Sequence, residues 1–162
     1  MTINGLQQLI EESASQVTAT NSVELGTERW VGGLKYQYIY NKSSSTASVG
    51  YAMVRIGANA SASSGYSLTV SSTAGDYDIG GVVYHSDIPA RNYGWVVVKG
   101  AVPAAYSNSG TTAGHGVALD ANGAFRSRSA TTGNLYPFVG VALTAASAAT
   151  ALCTFTVWVN CA

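Results

Sequence analysis

From Val23 to the last residues the chain keeps a period of two, apolar against polar, in short runs that stop at Gly, Ser or Asn. Successive side chains of a strand point to opposite faces, so this alternation suits a sheet and not a helix. The predicted strands are 23–31, 34–40, 49–56, 66–71, 81–85, 94–102, 115–120, 124–128, 137–143 and 151–160. Within 34–40, Leu34, Tyr36, Tyr38 and Tyr40 share one face. Gly32-Gly33 and Asn122-Gly123 are two-residue hairpin signals, because such turns need positive φ at their centre. Many short strands between Gly and Ser loops imply an all-β fold, a compact β-sandwich or β-barrel. No fixed-period repeat is visible, which argues against a solenoid or propeller.

The first stretch differs. In 5–17, Leu6, Leu9, Ile10, Ala14 and Val17 fall near helical spacing, with Asn4 as a plausible N-cap. A helix this short is marginal alone and needs its own body or a partner to lean on. Thr18 to Ser22 is polar and reads as a linker. The expected organisation is therefore an N-terminal arm over 1–22, containing a short helix, and a β domain over 23–162. Candidate partner-binding residues are Leu6, Leu9, Ile10 and Val17 on the arm, with Trp30 beside the first hairpin.

Composition narrows the function. Of 162 residues, 8 are Lys or Arg and 8 are Asp or Glu, so the net charge is zero. Nucleic acid is disfavoured as a partner, since such binding draws on a basic surplus to displace counterions from phosphate. An anionic membrane surface is disfavoured for the same reason. Charged residues are 10% of the chain, against about 25% in an average soluble domain. Neutral, low-charge surfaces associate, which points to an assembly component. No apolar run approaches the roughly 18 residues of a membrane span. The N-terminal residues lack the basic-then-apolar order of a signal peptide. Cys153 and Cys161 would lie about 26 Å apart on one straight strand at 3.3 Å per residue. A bridge needs Cα atoms within about 7 Å, so free thiols are expected. The triplets at Asn41 and Asn59 read as Ser-rich loops that match the glycosylation pattern by chance.

Catalytic chemistry is not apparent. His85 and His115 stand 30 positions apart, and no H-E-x-x-H, G-x-S-x-G or C-x-x-C occurs. His115, between Gly114 and Gly116, reads as a residue leading into a strand, and His85 as a strand-end or interface residue. Asp76, Asp78 and Asp87 partly fit a calcium loop. Gly80 occupies the position where a side-chain oxygen is needed and no helices flank the segment, so an EF-hand is rejected. Arg126 and Arg128 form the one basic cluster and read as a solvated face. The Tyr36, Tyr38, Tyr40 row suits either a core or a sugar platform, with core or subunit interface favoured because aromatic rows in strands reflect cross-strand packing. No enzyme activity, cofactor or metal is expected.

Six segments carry a resemblance: Glu24–Tyr40, Val49–Val54, Trp95–Val102, His115–Asp120, Val139–Leu143 and Thr154–Val159. Their order is similar to that of the small head decoration (cement) proteins of tailed double-stranded DNA bacteriophages, across roughly residues 23–160. The resemblance implies a non-enzymatic β domain made in the host cytoplasm and seated on the outer surface of the virion head. Its implied partners are the major capsid protein and two further copies of itself. The choice of trimer over dimer comes from the resemblance alone. A carbohydrate- or receptor-binding β module of a phage tail or spike is the alternative.

Overall fold

The computed structural model describes residues 15–55, 66–70, 78–108, 110–120, 123–127, 139–146 and 153–161. Among them lie ten strands: β1 (Glu28–Val31), β2 (Leu34–Asn41), β3 (Ala52–Arg55), β4 (Ser67–Val70), β5 (Ile79–Val83), β6 (Tyr93–Ser107), β7 (Gly116–Leu119), β8 (Phe125–Ser127), β9 (Gly140–Ala142) and β10 (Cys153–Asn160). Each predicted run overlaps one of them, and the fold is all-β. The β1–β2 turn has φ of 57° at Gly32 and 82° at Gly33, as the glycine pair requires. The arm residues before Ser15 lie outside the described residues, and with them Leu6, Leu9 and Ile10.

The two largest departures from the expected boundaries are at the start of β1 and the end of β6. Val23 to Thr27 is not strand: the Thr27 N–H turns back to the Glu24 carbonyl at 3.1 Å. Gly26 takes φ +86° there, and a Cβ on it would lie 2.3 Å from the Tyr66 ring. Strand β6 runs on to Ser107, past Pro103, where the alternation reading ends. A bulge accommodates this: Ala104 adopts φ 58°, and the β6–β10 register shifts between Phe155 and Val157. Proline is tolerated in a sheet at such an irregularity because no ladder hydrogen bond is asked of it.

The sheet order is β1-β2-β4-β3-β5-β6-β10-β9-β7-β8, and the further pairings β2–β6 and β6–β8 close it on itself. The result is two five-stranded rings, β2-β4-β3-β5-β6 and β6-β8-β7-β9-β10, which share the 15-residue strand β6. Of the two architectures the sequence allowed, this is the barrel. Each ring is sealed by one parallel pairing, Asn41 with Leu68 in the first and Ser107 with Phe125 in the second. Closure leaves few free edges, which is how β proteins avoid pairing with strangers.

The rings are copies of one plan. Gly50 and Gly114 both have positive φ, at 86° and 81°. Their N–H groups donate to equivalent carbonyls, Val83 at 2.8 Å and Ala142 at 2.7 Å. The Tyr51 N–H returns to Ser48 at 3.2 Å and the His115 N–H to Thr112 at 3.1 Å. The isolated bridges Ala47–Ile88 and Thr111–Ala146 also correspond. The spacing between equivalents drifts: 47 to 111 is 64 positions, while 88 to 146 is 58. A repeat that lacks a constant period leaves no sequence signature of the kind sought above.

Strand β2 is buried on both sides, with consecutive residues Tyr36, Gln37, Tyr38 and Ile39 all inaccessible or nearly so. One side of it is covered by the segment just before β1. Thr18 exchanges backbone hydrogen bonds with Tyr93 at 3.1 and 2.8 Å. Thr18 Oγ1 and Ser22 Oγ reach the Tyr38 hydroxyl at 3.1 and 3.3 Å. Val17, Val23 and Leu25 pack half-buried against the core. The stretch read as a linker is thus tied to the barrel, because it satisfies a buried phenol and shields an aromatic row.

Candidate interaction surface

Residues on neighbouring strands that face each other share a side of the sheet. The register sets Trp30 of β1 beside Lys35 of β2, Lys35 beside Lys99 of β6, and Lys99 beside Asn160 of β10. Two residues along β10, Trp158 stands between Ala101 of β6 and Val141 of β9. Leu143 follows just past β9. Trp30 is 59% exposed, Leu143 45% and Trp158 44%, and they are three of the four large apolar side chains left in solvent among the described residues. At about 4.8 Å per strand, the two indoles are separated by three strand spacings, roughly 14 Å across the sheet.

Charge on this face is one ion pair, Lys35 with Glu28, and one exposed lysine, Lys99. Lys35 Nζ meets Glu28 Oε2 at 2.7 Å, with Trp30 the cross-strand partner of Lys35. Behind it, Arg29 lies over the Trp95 ring, 4.7 Å from its centroid, so that guanidinium is spent within the body. A face with two exposed indoles, an exposed leucine and one lysine outside the ion pair is suited to contact with protein, since aromatic residues are enriched at interface cores.

Of the residues singled out from sequence, Trp30 sits on this face and Val17 on the barrel's own core. Sequence reading missed Trp158 and Leu143. The signal for Trp158 was available: it stands in phase with Thr154, Thr156 and Asn160, the polar set of its strand. An aromatic in the polar phase of an alternating strand is one placed in solvent.

The remaining candidates are dispersed. Asp78 accepts from Arg55 Nη1 at 2.8 Å, and Asp87 accepts from the Val49 N–H at 2.7 Å. These two carboxylates are engaged separately, and Asp76 lies outside the described residues. His85 is exposed just past β5, stacked on Tyr36 with ring centroids 5.4 Å apart, its Nε2 2.8 Å from the Tyr36 hydroxyl. His115 is exposed at the start of β7. Arg126 is half-buried on β8, and Arg128 lies outside the described residues. Cys161 is a free, buried thiol, whose pKa is pushed up to about 12 by burial, against a smaller opposing pull from Arg55.

No family model and no curated protein matches the sequence. Among solved structures, the chain is similar to the N base of the head fiber protein gp8.5 of bacteriophage phi29. The TM-score is 0.49 at 11% identity, over 75% of this chain and 93% of that one.

Proposed function

We propose that this chain is a structural protein of a tailed-bacteriophage virion, a cement protein that binds the major capsid protein on the outer surface of the head. The observation that carries this reading is the exposed aromatic face of Trp30, Trp158 and Leu143. Tryptophans in such faces supply a large share of binding energy when buried against a partner. The low charge of the chain and its resemblance to head decoration proteins point the same way. The protein acts as a homotrimer, without catalysis, cofactor or required metal. The competing reading, a glycan- or receptor-binding module of a tail or spike, wanted the tyrosine row as a sugar platform. Tyr36 and Tyr38 are instead 2% and 1% exposed and belong to the core.

The test is co-sedimentation with phage heads stripped of their surface proteins. The Trp30→Ala, Trp158→Ala double variant is expected to lose attachment by a factor of about 30 or more, the equivalent of roughly 2 kcal/mol. Its thermal stability should stay within about 1 kcal/mol of the parent, because both indoles are already in solvent. Undiminished attachment of the folded variant would overturn the face. Light scattering addresses the trimer: the expected mass is three times the 16.7 kDa chain, about 50 kDa.

A further inference from the structure

We propose that a cleft on the first ring, away from the aromatic face, binds a neutral pyranose sugar. The cleft has a volume of about 280 Å³ and is lined by Ser45, Thr46, Ser48, Tyr51 and Val70. Small-molecule sites of drug-sized ligands begin near 300 Å³, so this one has room for about one sugar ring. Its described lining carries three hydroxyls, one phenol, one aliphatic side chain and no charge. That set matches a ligand with hydroxyls on its rim and C–H groups on its face. Among the described lining residues, an anion or cation would find no counter-charge.

The walls are prearranged. Asn41 is fully buried, and its Nδ2 donates to the carbonyls of Ser45, Ile88 and Pro89 at 3.0, 2.9 and 3.1 Å. Its Oδ1 accepts from the Ser43 N–H and Oγ at 3.1 and 2.6 Å. The Ser/Thr loop is thereby wound around one amide and held open beside Tyr51. The Tyr51 ring is braced by Tyr106, with centroids 5.1 Å apart, and Tyr106 in turn packs on Gly50. Burial raises the pKa of the Tyr51 phenol, and the neighbouring Tyr106 adds to the shift.

The duplicated plan shows that the fold does not need this loop. Six positions separate Asn41 from Ala47 in the first ring, and four separate the equivalent Ser107 from Thr111 in the second. Where the first ring has Tyr51, the second has His115. The longer hydroxyl-rich loop and its aromatic neighbour are additions to one copy, which is where a binding role would reside. This inference is independent of the capsid reading.

The experiment is a titration of the ¹⁵N-labelled full chain with glucose, galactose, mannose and N-acetylglucosamine, each to about 100 mM, enough to register affinities weaker than millimolar. At least one sugar is expected to give saturable shifts confined to the amides around 45–51. Two variants alter different walls, Tyr51→Ala and the pair Thr46→Val, Ser48→Val. Each should weaken that affinity about tenfold or more, and Trp158→Ala should leave it unchanged. If Tyr51→Ala does not fold, the hydroxyl pair carries the test. The absence of saturable shifts with all four sugars overturns the proposal, as does binding that survives the hydroxyl pair. Occupation of the cleft by p-cresol, a stand-in for an apolar protein side chain, with none of the sugars binding, also overturns it.

Discussion

The two rings share one topology and differ in what fills and decorates it. The first is built around large aromatics: Tyr36, Tyr38 and Trp95 are buried along β2 and the first half of β6, under the strap at 15–27. In the second, the side chains whose burial is described are Val102, Ala105, Val117, Leu119, Ala142, Val157 and Val159, beside Phe125. The first carries the wound Ser/Thr loop and the cleft. The second carries Trp158 and Leu143 on its outer face. One backbone plan therefore tolerates two different cores, as expected when volume is conserved locally and patterning is kept. Equivalent positions in the rings then serve as internal controls for each other.

The sharpest such control is the glycine pair. Gly50 and Gly114 have the same left-handed backbone, but a Cβ at Gly50 would lie 2.4 Å from the Tyr106 ring and 2.8 Å from the Ala104 carbonyl oxygen. A Cβ at Gly114 would meet nothing within 4 Å. Gly114→Ala should cost only the backbone strain, about 1–2 kcal/mol. Gly50→Ala adds overpacking against backbone and should cost about 4 kcal/mol in all. Urea denaturation of the two variants measures the gap. Equal costs would mean that the rings respond to crowding alike.

A smaller difference is expected at the residues that seal each ring. Asn41→Ala removes the Nδ2 contacts to three carbonyls and the two hydrogen bonds accepted by Oδ1, for a loss of about 3 kcal/mol. Ser107→Ala at the equivalent position should lose about 1 kcal/mol. Hydrogen exchange should show the first variant opening around 42–48, with the second ring still protected.

The smallest effect tests the seam between the rings. Arg55 of the first ring donates from Nη2 to the Cys161 carbonyl at 3.0 Å, just past β10 of the second. The Cys161 thiol is held protonated to about pH 12 when folded, while in the unfolded chain it ionises near its ordinary value of 9.0. A group with a raised folded pKa loses its stabilising contribution as pH rises from the unfolded value toward the folded one. Stability should therefore fall by about 1.4 kcal/mol between pH 8 and pH 10 from this group. Cys161→Ala should remove that part of the pH dependence. Native Cys161 should resist alkylation at pH 8, and rapid reaction would show that the seam opens.

The sequence by itself determined the strand set, the hairpin at Gly32-Gly33 and the all-β class, because alternation and turn chemistry act over a few residues. It also held the clue to Trp158, an aromatic out of phase with its strand. It pointed to the tyrosine row as core, and the buried Tyr36 and Tyr38 agree. Which strands pair is another matter. The parallel seals of Asn41 with Leu68 and Ser107 with Phe125 join residues 27 and 18 positions apart, and nothing local marks them. The duplication was hidden because the two copies share a strand and keep backbone hydrogen bonds where they do not keep side chains. The strap at 15–22 reads as polar linker until Tyr38 is placed beneath it. Those features follow from closure of the rings, a condition on the whole chain that no short window of residues expresses.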